Sequence, residues 1–183
     1  LKNGHRELYE LSAAEKAQPR VVLLEADGRE EELSAFLARL ESELADGGKV
    51  LFSDARLAGA SLGSLGADPG GEAARTFRTE WPGETWLAVS LSPCRVEVSR
   101  MRYNDTTPEG YRVDRVIENV RVDCRVSIRS VDAATGRVAK PLEVTGTATY
   151  RRGEGEDGET SELEATRDAA EKAAKKLPGL LKK

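Results

Sequence analysis

Apolar residues fall on every second position from Val120 to Ile128, with Val120, Val122, Cys124, Val126 and Ile128 alternating against Asn119, Arg121, Asp123, Arg125, Ser127 and Arg129. A period of two predicts a β-strand with one face covered and one in water. The same alternation runs through Leu87, Val89 and Leu91, then changes parity after Ser92-Pro93, where Cys94, Val96 and Val98 become the apolar set. A one-residue slip exchanges the two faces of a strand, so a bulge or bend is predicted at Pro93. Asp132-Ala-Ala-Thr-Gly136 reads as a hairpin loop, with Gly136 at the position that needs positive φ. The return strand sets Leu142, Val144, Ala148 and Tyr150 inward and Thr145, Thr147 and Thr149 outward.

Before this meander the period is different. Arg20 to Ala26 is a continuous aliphatic run without alternation, which predicts a strand covered on both faces and closed by Asp27-Gly28. From Arg29, Leu33, Phe36, Leu37, Leu40 and Leu44 form one helical stripe behind the acidic first turn Glu30-Glu31-Glu32, and Gly47-Gly48 supplies a left-handed stop. A second strand, Lys49 to Asp54, completes a βαβ unit with a parallel pair and a right-handed crossover. Residues 59–71, with five glycines and Pro69, read as an irregular connection, and Ala73, Ala74, Phe77 and Trp81 as one face of a short helix ending at Pro82-Gly83. At the ends, Ser12 to Glu15 is a capping-box pattern in a short helix that Pro19 stops, and Gly153 to Glu159 is an acidic, glycine-rich loop. Ser161-Glu-Leu-Glu164 is a second capping box, opening a final helix that runs through Leu177 to Pro178 and whose alanines let it lie close on a sheet. The expected architecture is therefore α/β (α+β): a mixed sheet with a parallel βαβ start and an antiparallel meander, helices packed on it, residues 1–19 an N-terminal extension with a short helix, and residues 20–183 a single domain.

Composition narrows the function. The 183 residues carry 28 Lys+Arg against 32 Asp+Glu, a net charge of −4, with 39% hydrophobic and 33% charged residues. That is the balance of a folded domain large enough to need no staples. Without a basic run, binding to nucleic acid through phosphate contacts is not expected. The arginines at 95, 100, 102, 112, 115, 121, 125 and 129 are interleaved with acids, the pattern of cross-strand ion pairs on a solvated face. The longest apolar run, Val21 to Leu24, is strand-sized, so no membrane span is expected in this chain. The start at Leu1, without Met or an apolar signal core, reads as a processed or trimmed product.

Candidate chemistry is sparse. One His and two Cys, thirty residues apart, cannot build a zinc site, and no nucleophile arrangement is recognisable; no catalytic residue, metal or cofactor is expected, and His5 reads as an ordinary exposed His. The glycines from 59 to 71 match neither phosphate-loop pattern. Asp27 and Asp54, at the carboxyl ends of the parallel strands, are the candidates for an alternative ligand-binding or hydrolytic site, because parallel sheets bind ligands there. Cys94 and Cys124 both lie on apolar parity and are expected free and buried, with a disulfide as the alternative in an oxidising compartment. Trp81 and Trp86 flank Pro82-Gly83 and are candidates for partner contact, with core placement the favoured reading. Tyr103 and Tyr111 flank the polar tip Asn104 to Gly110 of a hairpin that projects from the body, and with the strand edges beside them they are the other protein-binding candidates.

The order of elements, with Val-Leu-Phe-Ser-Asp54, the Val131-Asp-Ala-Ala-Thr-Gly-Arg-Val138 turn and the Glu164-Ala-Thr-Arg-Asp-Ala-Ala-Glu-Lys-Ala-Ala helix, resembles a group of envelope α/β domains. The group comprises the TolB amino-terminal domain, the periplasmic domain of the curli secretion lipoprotein and the penicillin-binding-protein activator lipoprotein. The resemblance would span about residues 20–181 and implies a periplasmic or outer-membrane-associated, lipoprotein-like location. It also implies action by binding a protein partner or by self-assembly rather than by catalysis. This chain lacks the group's lipidated Cys and the pore-forming hairpins of the secretion member, so passage through a pore is not implied.

Overall fold

The computed structural model describes residues 19–46, 50–153 and 159–180. The predicted N-terminal helix, its Ser12 capping box, His5, the Gly47-Gly48 stop and most of the 153–159 loop lie outside them. The described elements are β1 (Arg20–Asp27), α1 (Glu30–Asp46), β2 (Leu51–Asp54), a 3-10 turn (Arg56–Ala58), α2 (Leu62–Ala67) and α3 (Glu72–Glu80). They continue with β3 (Thr85–Leu91), β4 (Arg95–Thr106), β5 (Arg112–Asp132), β6 (Leu142–Gly153) and α4 (Glu159–Leu180). One mixed sheet holds all six strands: β2-β1-β3 are parallel, and β5 runs antiparallel to β3, β4 and β6.

Both faces of the parallel end are covered, as the unbroken apolar run of β1 requires. Val21, Leu23, Leu87 and Val89 face α1 and α4, against Phe36, Leu40, Ala169 and Leu177, while Val22, Leu24, Trp86 and Ala88 face Leu62, Leu65 and Phe77 of α2 and α3. All five residues of the predicted α1 stripe are buried. Glu32, in the first turn, is buried too; burial first, then the neighbouring carboxyl of Glu162 in α4, raises its carboxyl above the ordinary range, against the opposing pull of Arg29 2.8 Å away. Gly28 adopts φ +152, and a Cβ there would sit 2.9 Å from Cβ of Leu91, so the close of β1 admits β3 only because the residue is glycine.

β3 and β4 lie end to end along one side of β5. Leu91 is opposite Val126 and Arg95 opposite Asp123, four steps on one strand against three on the other, which is the bulge predicted at Pro93. It keeps Cys94, Val96 and Val98 on the same side of the sheet as Leu91 and α4. The register that runs back from the hairpin tip brings Cys94 opposite Cys124, and the two form a disulfide with Cα atoms 4.3 Å apart. This corrects the expectation of free thiols. The sulfurs lie beneath α4, where Cys124 contacts Thr166 and the carbonyl of Glu162.

Three further expectations change. Residues 62–67 of the glycine-rich stretch form a helical turn and a half, capped by Ser61 Oγ accepting from Ser64 N at 3.1 Å, because Leu62 and Leu65 bury on the sheet. Ala73 is exposed; α3 buries Ala74 and Phe77. The last helix begins at Glu159, ahead of Ser161, which therefore is not its cap, and it continues past Pro178 to Leu180. The alanine face behaves as its composition predicts. A Cβ on Gly146 would lie 1.9 Å from the carbonyl oxygen of Ala165 and 2.7 Å from Cβ of Ala169, so α4 rests directly on the β6 backbone.

Candidate protein-binding edge

Beyond the bulge the sheet loses its second layer and then its first. At Val120 and Val122 only α4 covers it, through Ala165. Past residue 117, where β6 ends, β4 and β5 continue as a two-stranded arm. Its tip is a tight turn in which Thr107 N donates to Tyr111 O at 2.9 Å and Gly110, at φ +88, donates to Thr107 O at 2.8 Å. At the tip β4 thus runs three residues further than predicted and β5 begins one residue later, so the turn shrinks to residues 107–111. Tyr103 is 40% and Tyr111 71% exposed, at the base and at the end of this tip.

Charge along the ribbon is compensated within and across strands. Glu118, buried at its carboxylate, accepts from Arg100 Nε at 2.8 Å and Arg152 Nε at 2.9 Å, which hold its carboxyl below the ordinary range. On the opposite, solvent-facing side Arg115 pairs with Asp105 at 3.0 Å and Arg121 with Asp123 at 3.0 Å, while Arg151 donates to Asn119 at 3.0 Å. A shallow groove of about 760 Å³ on this side is lined by Glu97, Ser99, Asn119, Arg121, Thr149 and Arg151 among others.

The free margins of the sheet differ. β2 is only four residues long. Along β6, the backbone is occupied by α4: Asp168 Oδ2 accepts from Thr147 N at 2.8 Å and Lys172 Nζ donates to Thr145 O at 3.1 Å. Burial works against the charge of Asp168, but Lys172 and the Thr147 amide together hold its carboxyl below the ordinary range. β4, twelve residues long, pairs with β5 alone among the described strands. Among the described residues, seven large apolar side chains are exposed, and five of them, Val96, Val98, Met101, Tyr103 and Tyr111, belong to β4 and the hairpin tip. Sequence reading named Tyr103 and Tyr111 but not Val96 and Val98, whose alternation is that of a buried strand, nor Met101, which lies on the opposite face.

The other candidates are placed elsewhere. Trp86 is fully buried, edge-on to Phe77 with ring centroids 6.1 Å apart, so it presents no ring to a partner; Trp81 is half-buried beside the same cluster. Asp27 and Asp54 are not brought together. Asp54 is level with Leu23, four residues before Asp27, or about 13 Å along the strand. Its carboxylate accepts from Arg56 Nε at 2.9 Å and from Arg56 Nη2 at 2.7 Å, which hold it below its ordinary range. The order β2-β1-β3, with α1 on one face and α2 and α3 on the other, puts a topological switch point between β1 and β3, beside Asp27 and Ser90. There Gly28 packs onto Leu91 and the chain runs on into β4. A separate cleft of about 500 Å³ lies on the α2 face between Glu25, Leu62, Gly66, Arg129 and Val138. Neither aspartate lines it or the groove on the ribbon.

No family model matches the chain, and no curated protein does. Solved structures do. A hypothetical protein of Chlamydia trachomatis, 12% identical, aligns over 90% of this chain and 98% of its own with a TM-score of 0.50, a likeness of fold. A minor lipoprotein of Acinetobacter baumannii is 12% identical over 87% of this chain and 92% of its own, at TM-score 0.40. The PelC dodecamer of Paraburkholderia phytofirmans is 15% identical over 89% and 87%, at 0.41. Among the described residues no helix is long and apolar enough to cross a membrane.

Proposed function

We propose that this chain is a non-enzymatic cell-envelope protein, periplasmic or associated with the outer membrane, that acts by binding a protein partner or assembling with itself through the β4–β5 arm. The observation that carries the reading is the concentration of exposed large apolar side chains along the one long strand whose outer edge meets no described strand. An extended chain added there gains backbone hydrogen bonds, while the side chains select it. The Cys94–Cys124 disulfide supports an oxidising compartment, where such bonds persist. The resemblance read from the order of elements, to the TolB, curli secretion and penicillin-binding-protein activator group, supports the same location.

The test compares the full chain with a variant carrying Val98→Lys and Met101→Lys on the exposed strand β4, each used to capture proteins from an envelope fraction and each measured for assembly by light scattering. The expected result is that the variant folds and loses the captured partner or the assembly. Recovery of cytoplasmic partners only, or unchanged capture and assembly by the variant, overturns the reading.

A further inference from the structure

The arm leaves the identity of its occupant open, and the pattern along β4 narrows it. Resting on the reading that the arm is the contact surface, we propose that the outer edge of β4 pairs with β4 of a second copy, antiparallel, in the register that sets Arg95 opposite Asp105 of that copy.

The edge is chosen by exclusion. Short edges and edges occupied by side chains resist pairing, which describes β2 and β6, whereas β4 offers a dozen residues with neither device. Its backbone has a definite phase: Thr107 turns its amide to Tyr111, so odd-numbered residues face β5, and Val96, Val98, Arg102 and Asn104 direct their amides and carbonyls outward. A two-fold axis normal to the sheet joins two such edges antiparallel and keeps each face on its own side, so every residue meets one of the same parity.

The allowed registers then differ by steps of two, and charge separates them. In the proposed one, each Arg95, 3.0 Å from its own Glu97, meets Asp105 of the other copy, 3.0 Å from that copy's Arg115, so that the pairs join into a network; Glu97 meets the hydroxyl-bearing Tyr103, and Ser99 meets Met101, all on the solvent-facing side. On the other side Val98 lies opposite Arg102, whose methylenes can cover its methyl groups. Arg100 meets its own equivalent at the axis, each beside its own Glu118 at 2.8 Å. Moving the pairing one step sets Glu97 against Asp105 and Arg100 against Arg102, each twice by symmetry, four like-charge contacts where the proposed register has the single Arg100 pair at the axis. Moving it the other way sets Arg95 against Tyr103 and leaves no acid opposite a base. Two symmetric ion pairs thus exist in one register and in neither of its neighbours.

The experiment is sedimentation equilibrium of the full chain, with melting temperature as the check on folding. The wild type is expected to show a monomer–dimer equilibrium at or below on the order of 100 µM, the weak range suited to a small interface. Arg95→Glu should raise the dissociation constant roughly tenfold by setting two carboxylate pairs face to face. Arg95→Glu combined with Asp105→Arg should bring it back towards the wild-type value. A chain that stays monomeric, or an association that Arg95→Glu leaves unchanged, overturns this pairing. Arm-dependent capture of a different envelope protein by such a monomer would leave the contact-surface reading standing and remove only the second copy.

Discussion

The two ends of β5 are built on the same alternation and end in opposite surroundings. From Val120 to Ile128 its even positions are buried beneath helices, whereas from Arg112 to Val116 no residue is buried. The difference is in what lies above the strand. Alternation assigns a residue to a face, but only helices convert a face into a core, and α1, α2, α3 and α4 all gather over the other end. The body therefore has its stability in packing, and the ribbon in backbone pairing and compensated charge. The arm is free to serve as a surface because little of the fold depends on it.

That contrast can be broken most severely in the body. Leu40→Asp would place an unpaired carboxylate where α1 meets the sheet and should cost about 5 kcal/mol or abolish folding, against a change within about 0.5 kcal/mol for the neighbouring Glu41→Lys, both read by thermal melting. Similar losses for the two would show that α1 packs by another face. Next comes the contact of α4 with β6: Gly146→Ala should cost about 3 kcal/mol, because the added methyl meets helix backbone that cannot yield as a side chain would. At the join between the two regions, removing the disulfide by Cys94→Ala with Cys124→Ala should lower stability by about 2–3 kcal/mol in denaturant titration. No change on removal would mean the bulge is held by its strand pairing alone.

Acid separates the regions by sign. In the ribbon the Arg100 and Arg152 hydrogen bonds depress Glu118, and those of Thr147 and Arg121 depress Asp123. Both contribute stability that is full above their unfolded values, near 4.5 and 3.8, and that is lost as pH falls through the lower folded ones. Glu32 in the body is raised, so its contribution is full below 4.5 and is lost as pH rises through its folded value. Melting temperature followed against pH should therefore fall less steeply on the acid side in Glu118→Gln. The same curve should lose less between pH 4.5 and neutrality in Glu32→Gln. The smallest effect belongs to the arm itself. Replacing 105–113 by Asn-Gly, which keeps Asn104 opposite Asp114, should move stability by no more than about 0.5 kcal/mol, and a larger loss would make the tip part of the fold.

Much of this was legible in the chain because strands and amphipathic helices announce themselves by period. The βαβ start, the α1 stripe and the slip at Pro93 follow from residue spacing alone. The α2 turn was missed because two glycines conceal it, although Ser61 followed by Ser64 was a visible cap. The disulfide was missed because pairing was judged from parity. Counting back from the tip expected at Asn104 to Gly110 sets Cys94 opposite Val120, and only the tip as it stands, at 107–111, sets it opposite Cys124. The candidate edge was legible only at Tyr103 and Tyr111. Whether an edge is open depends on what reaches it from elsewhere, and nothing in the β6 sequence says that Asp168 and Lys172 will occupy its backbone.

The long hairpin also bears on how quickly the sheet can be assembled. Thr85 and Asp132 pair at the far end of the β3–β5 ladder although most of fifty residues separate them, and a contact so remote is slow to find by random closure of the chain. Here it need not be found that way. Thr107 and Tyr111 meet across a turn that closes within microseconds, and each rung from Thr106–Arg112 down to the bulge shortens the search for the next. The arm thus acts as a zipper that carries β3 to β5 in register, delivering the antiparallel half of the sheet to the parallel half as a prepared edge.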